Sequence, residues 1–214
     1  ATLNAIPDLA HDSATLSDAD LLARIGATPM NNLASPEGLF FPDTYLFDKN
    51  SSDLHLLARA HQAMQRQLAN AWEIRDQTIP LKTPYELLVL ASLIEKETGQ
   101  ASDRPQIAAV FMNRLRMGMP LQSDPTVIYG LGQQFDGNLR RIDLQSDTPW
   151  NTYTRRGLPP TPIATPGFAA LSAAAHPPLS DKVYFVAKGD GHSVFSRTLE
   201  EHNRAVATYQ KGQN

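Results

Sequence analysis

The chain contains no cysteine. That excludes disulfide frameworks, zinc ribbons, thiol catalysis and iron–sulfur clusters together, and says nothing about redox compartment. An excess of basic charge is also missing: 19 Lys+Arg against 22 Asp+Glu give a net charge of -3, without the electrostatic footprint of a nucleic-acid or anionic-membrane binder. No run approaches the roughly 18 apolar residues of a membrane span. The chain starts at Ala1 with neither Met nor a basic-then-apolar leader, so we expect a longer parent whose targeting or anchoring segment has been cut away. P-loop, GxSxG and HExxH motifs are absent, and the lone GxG at Gly130 and Gly132 lacks a third glycine and a βαβ setting. Six histidines, at 11, 55, 61, 176, 192 and 202, show no pair at i,i+4 and read as surface or core residues, so no metal or other cofactor is expected.

What is present is an ordinary globular composition. The 214 residues are 42% hydrophobic, and counting Gly in place of Tyr brings the apolar share to about 45%. At about 150 residues per domain this is one large domain or one with a small appendage. Ser17 followed by Asp18 and Asp20 caps a short helix that Gly26 stops. Pro29, Pro36, Gly38 and Pro42 surround Phe40, Phe41, Tyr45 and Phe47, an ordered loop over 28–52 with short extended pieces. Leu54, Leu57, Ala58, His61, Met64, Leu68 and Trp72 recur at helical steps over 53–75. Thr83, Pro84 and Glu86 form a capping box before LLVLASLIEKE, which Gly99 ends. Further helices are read from about Ser102 to Gly118, from Pro125, and from Gly167 to about His176. Residues 183–187 and 192–196 form a hairpin, and Thr198 caps a terminal helix ending near Gln210. The expected class is α+β, predominantly helical, with a C-terminal β-hairpin and long ordered loops. Segments 28–52 and 119–166 are too long for plain connectors and are where a site is sought.

With most machinery eliminated, carboxylate chemistry remains. At 100° per residue, with Leu87 as zero, the apolar face of the 84–97 helix centres near 320°; Glu97 falls near 280°, between Leu90 and Leu93, while Glu95 lies near 80° at its margin. The two are about 160° apart and form no dyad. A carboxyl in an apolar stripe loses hydration and becomes a general acid near neutral pH. The alternative is a structural ion pair with Arg104 or Arg114. GMPLQSDPTVIYGLG at 118–132 sets Gln122, Ser123 and Asp124 before a helix that carries Tyr129. This is either a capped connector, with Ser123 or Asp124 as N-cap, or a polar rim suited to a sugar. TPWNTYTRRGLPPTPIATPG at 148–167 has five prolines and presents Trp150, Asn151 and Tyr153, a stiff wall for stacking and hydrogen bonding or a plain surface loop.

EGLFFPDTYLF at 37–47, LASLIEKET at 90–98, VFMNRLRMGMPLQSDPTVIYGLG at 110–132, NTYTRRGLPPTPIATPG at 151–167 and YFVAKGDGHSVFSRTLEEHN at 184–203 together resemble the endolytic murein transglycosylases of the YceG-like (MltG) family. The GDGH turn at 189–192 departs from the pattern by a residue. The resemblance implies a catalytic domain over 37–210, a helical and loop lead-in at 1–36 and a tail at 211–214. It implies a protein on the periplasmic side of the bacterial inner membrane, anchored by a removed helix and associated with cell-wall synthases, that cuts peptidoglycan glycan strands internally. Its catalytic glutamate matches Glu97, with Thr98 where related enzymes have Ser and Glu95 as second choice. Glu97 would protonate the bond between N-acetylmuramic acid and N-acetylglucosamine, then take the proton of the muramyl C6 hydroxyl to leave a 1,6-anhydro end, unlike two-carboxylate hydrolases. Gln122, Ser123, Asp124, Tyr129, Asn151, Thr152, Tyr153, Glu95 and Glu37 are the expected substrate contacts. Two rivals are a hydrolase using Asp43, Asp124 or Glu37 as second carboxylate, and a glycan-binding module without catalysis.

Overall fold

The computed structural model describes residues 3–28 and 35–210. Pro29, the proposed tail at 211–214 and residues 1–2 and 30–34 lie outside the described residues. The chain runs through β1 (Leu9–Ala10), α1 (Asp18–Arg24), β2 (Ser51–Ser52), α2 (Asp53–Glu73), α3 (Pro84–Glu97), α4 (Arg104–Arg116), α5 (Asp124–Leu131), α6 (Arg141–Gln145), α7 (Phe168–Ala175), β3 (Tyr184–Ala187), β4 (Ser193–Ser196) and α8 (Leu199–Tyr209). The class is α+β and predominantly helical. β3 and β4 pair antiparallel as the C-terminal hairpin, with Phe185 opposite Phe195.

α3 is the axis of the core. Leu87, Leu88, Leu90, Ala91, Leu93 and Ile94 are fully buried. α2, α4, α5 and α7 pack around the helix. The stripe read from the sequence widens to the whole circumference in the middle of α3, because alanine-rich α7 closes on it. Buried Ala170, Ala173, Ala174 and Ala175 present only methyl groups, which lets the two backbones approach closely. Buried Ser92 is satisfied there: its hydroxyl donates to the Val89 carbonyl at 2.6 Å and accepts from Ile163 N at 3.0 Å. α3 emerges from the core at its two ends, over 84–86 and from Glu95 onward.

The caps explain where elements begin. Ser17 and Thr83 accept from the backbone N–H three residues on. Glu86 reaches Lys82 N, one residue before the cap, so the α3 box is displaced by one position. Thr198 and Glu201 close a reciprocal box on α8. Asp103, at the start of α4, caps nothing; its carboxylate accepts from Ser193 N at 2.6 Å and ties the hairpin to α4.

Two features were not anticipated, the pairing of β1 with β2 and the helix α6. β1 and β2 form a two-residue parallel bridge, Leu9 beside Ser51, too short to leave an alternating pattern. α6 lies in a stretch read as loop, held by the Asp143 carboxylate on Arg140 N at 2.7 Å. The loop after residue 35 is ordered as expected: Phe41 N donates to Ala60 O, His61 Nδ1 meets Leu39 O at 3.1 Å, and Gly38 (φ +78) passes so close to Pro162 that a Cβ there would stand 2.5 Å from the ring.

Candidate active site

The site forms where the end of α3 meets the loop 120–124 and the hairpin. Ser123 occupies the N-cap position of α5 yet makes no cap hydrogen bond. Its hydroxyl donates to Glu97 Oε1 at 2.5 Å. A residue type suited to capping is thus diverted to a carboxyl, the kind of local inconsistency that marks a functional position. The backbone around it is tightly held. Ser123 N donates to Thr152 Oγ1, Gln122 N to Thr152 O, and Thr126 Oγ1 to Ser123 O. Gln122 adopts φ 53, a left-handed conformation costly for a residue with a Cβ.

Burial pushes the Glu97 carboxyl up to about 7; the Ser123 hydrogen bond opposes this, the negative charge of Asp124 adds to it, and Arg114 opposes it again. Near neutral pH the group is therefore divided between acid and carboxylate, the condition for giving and taking a proton in one cycle. With Oε1 held by Ser123, Oε2 is the oxygen left to carry the proton. Arg114 acts on Glu97 through space: its Nε donates to Val183 O at 2.6 Å and its Nη1 to Pro120 O, Leu121 O and Gln122 Oε1. No contact ion pair joins Arg114 or Arg104 to Glu97 among the described residues. Burial lowers the Arg114 pKa.

The cleft at Glu97 encloses about 590 Å³ and brings Gln122, Asp124 and Tyr153 to its lining. The Tyr153 hydroxyl donates to Asp124 Oδ1 at 2.5 Å, and burial first, then that bond, push its pKa upward, so it remains a donor. Ser123 is buried beneath them. Asn151 and Thr152 stand behind the lining. Asn151 is fully buried, its amide donating to the carbonyls of Asp143, Leu144 and Ser146 and accepting from Tyr153 N. Thr152 links the two loops through Thr126. These two residues set the wall on which Tyr153 is carried.

Three other candidates lie elsewhere. Glu95 Oε2 accepts from Gly167 N at 3.0 Å and so fastens the start of α7. Tyr129 packs on Trp150 with ring centroids 5.5 Å apart and lines a separate hollow of about 530 Å³ with Ser35 and Thr161. The Glu37 carboxyl, which acts on Tyr129, is raised by burial against the opposing effects of Gly38 N–H and Lys96. Sequence reasoning missed the far wall of the Glu97 cleft, contributed by β3 and α8: Tyr184, Leu199, His202, Asn203 and Val206. Arg114 had been weighed only as an ion-pair partner. No group of three or more His, Asp or Glu side chains suited to a metal ion occurs among the described residues.

The sequence profile of the YceG-like family matches residues 2–208. An endolytic murein transglycosylase of Bacillus subtilis (strain 168) is 40% identical over 186 residues, covering 86% of this chain and 51% of that protein. One from Streptococcus pneumoniae serotype 2 (strain D39 / NCTC 7466) is 35% identical over 179 residues, covering 81% of this chain and 32% of that protein. The crystal structure of a YceG-like protein from Listeria monocytogenes superposes with a TM-score of 0.73 at 34% identity, over 87% of this chain and 62% of that one. The chain thus spans about half the length of the Bacillus relative and about a third of the pneumococcal one. With a profile matched almost end to end and a fold shared at this identity, the chain belongs to the YceG-like family.

Proposed function

We propose that this chain is the catalytic part of an endolytic murein transglycosylase, cutting the bond between N-acetylmuramic acid and N-acetylglucosamine inside glycan strands and leaving 1,6-anhydromuramyl ends. The observation that carries the reading is Glu97: one carboxyl, poised at about 7, hydrogen-bonded by Ser123 and set in a cleft large enough for sugar rings. As an acid it protonates the glycosidic oxygen from Oε2, and the Ser123 hydrogen bond stabilises the carboxylate left behind. As a base the carboxylate takes the proton of the muramyl C6 hydroxyl, which closes on the anomeric carbon, so no water enters and no enzyme nucleophile is needed. Gln122, Asp124 and Tyr153 hold the ring at the cleft floor, with Asn151 and Thr152 fixing their backbone. The hollow at Tyr129 and Trp150, with Glu37 beside it, would receive a more distant part of the strand. Names carried by the Bacillus and pneumococcal relatives agree with this substrate.

A peptidoglycan substrate would put the activity outside the cytoplasm; we propose the periplasmic side of the bacterial inner membrane, with cell-wall synthases as partners. No described helix is long and apolar enough to cross a membrane. Residues 1–36 would serve as lead-in to a catalytic unit at 37–210.

A second reading, hydrolysis, is favoured by one observation: the Asp124 charge lies close enough to raise the Glu97 pKa. Incubation of the chain and its Glu97→Gln variant with purified sacculi, followed by mass spectrometry of soluble fragments, separates the two. Anhydromuramyl ends from the wild type alone are the expected result. Reducing ends one water heavier would establish hydrolysis, and cleavage by the variant would remove Glu97 from the reaction.

A further inference from the structure

The wall of the cleft contributed by β3 and α8 has no part in the proton transfers described above, yet its polar groups are held in fixed orientations. The Tyr184 and His202 rings stack with centroids 5.2 Å apart and planes 21° from parallel. The Arg114 guanidinium lies 5.2 Å over the same Tyr184 ring. Backbone carbonyls and Gln122 take Nε and Nη1 of Arg114, which leaves the Nη2 edge for the cleft. His202 Nδ1 is sealed from solvent without a partner. A buried N–H lacking an acceptor costs more than a buried lone pair, so the proton belongs on Nε2, the nitrogen on the ring's open side. Burial and the Arg114 charge lower the His202 pKa and keep the ring neutral. Arg114, reaching in from α4, and His202 thus both present donors to this side of the cleft, one of them a cation. Beside them Leu199, more than half exposed, and Val206 add an apolar flank.

A sugar acetamido group can offer these donors one neutral carbonyl oxygen. A lactyl carboxylate offers two charged oxygens, and its methyl group suits the apolar flank. We propose that this wall is the subsite for the 3-O-lactyl substituent of a muramyl residue, whose carboxyl-derived oxygen accepts from Arg114 Nη2 and His202 Nε2 while its methyl rests on Leu199 and Val206. The inference builds on the transglycosylase reading and assigns the feature by which the cleft tells a muramyl from a glucosaminyl ring. A free lactyl carboxylate meets the guanidinium with a full charge, and a peptide-linked lactyl carbonyl meets the same donors with one neutral oxygen.

The test uses the Glu97→Gln chain, so that ligand is not consumed, and isothermal titration calorimetry with three tetrasaccharides. These are chitotetraose, a peptide-free tetrasaccharide alternating N-acetylglucosamine with N-acetylmuramic acid, and the same tetrasaccharide bearing stem peptides. The peptide-free muramyl ligand is expected to bind about tenfold tighter than chitotetraose, with the peptide-bearing one between them. Adding His202→Phe, which keeps a ring on Tyr184 but removes the donor, should reduce that preference to about threefold or less. Chitotetraose binding as tightly as both muramyl ligands would overturn the assignment, as would a preference unchanged by His202→Phe. If the double variant loses its cooperative melt, the three-ligand comparison in Glu97→Gln alone decides. Failure of the transglycosylase reading is registered separately, by the absence of new ends from sacculi treated with wild type.

Discussion

Replacing Glu97 by Gln should stabilise the protein in alkaline solution and leave its stability unchanged in acid. The folded state holds the carboxyl at about 7 against 4.5 when free, so between those values the native chain binds more protons than the unfolded one. Stability then falls as pH rises through that window, because ionising Glu97 means charging a group that burial has desolvated. At about 1.4 kcal/mol for each tenfold change in proton affinity, the wild type loses about 3 kcal/mol above pH 7 relative to a chain with a neutral side chain there. Gln presents an amide oxygen to Ser123 and stands in for the protonated acid. For a chain of this length 1 kcal/mol moves Tm by about 2–4 °C, so the variant should melt about 6–12 °C above wild type at pH 8.5 and converge with it near pH 4.5. Thermal melts of both proteins across that range provide the assay, and titrations common to the two cancel. A difference in Tm that does not change with pH, or a variant less stable than wild type at pH 8.5, would refute the account of Glu97 as a desolvated acid.

Ser123→Ala removes the hydrogen bond that favours the Glu97 carboxylate; the alkaline limb of the pH–rate profile should move up by about one unit and kcat should fall about tenfold, and a limb moving down would contradict the geometry. Asp124→Asn removes a charge that raises the Glu97 pKa, so the same limb should move to lower pH; a limb that stays in place or moves up would contradict that coupling. Asn151→Ala strands three carbonyls and one N–H in the interior and should cost about 2–4 kcal/mol in urea unfolding; a loss under about 1 kcal/mol would mean that solvent satisfies them.

What could be read from the sequence was what local rules control. The caps at Ser17, Thr83 and Thr198 and the terminal hairpin follow from short-range chemistry. Glu97 was singled out because a carboxyl between Leu90 and Leu93 breaks an apolar stripe. Where polar side chains face was not legible: in the proline-rich loop, Asn151 and Tyr153 look equally available, yet one is sealed under backbone carbonyls and the other meets the cleft. His202 read as a packing histidine because its partners, Tyr184 and Arg114, sit 18 and 88 positions earlier and only folding assembles them. The α6 helix escaped notice because five residues carry too little periodicity to be seen.

Arg114 gathers the carbonyls of Pro120 and Leu121 with one part of its guanidinium and that of Val183 with another. The span between the acid's side of the cleft and the hairpin's side is therefore the width of a single planar group, rooted in a helix buried in the core. Such an arrangement works as a gauge and not as a jaw: its calibre is set when α4 packs, before any strand arrives. A lysine could reach one side or the other but not both, and the opening would lose its dimension while Ser123 still held Glu97.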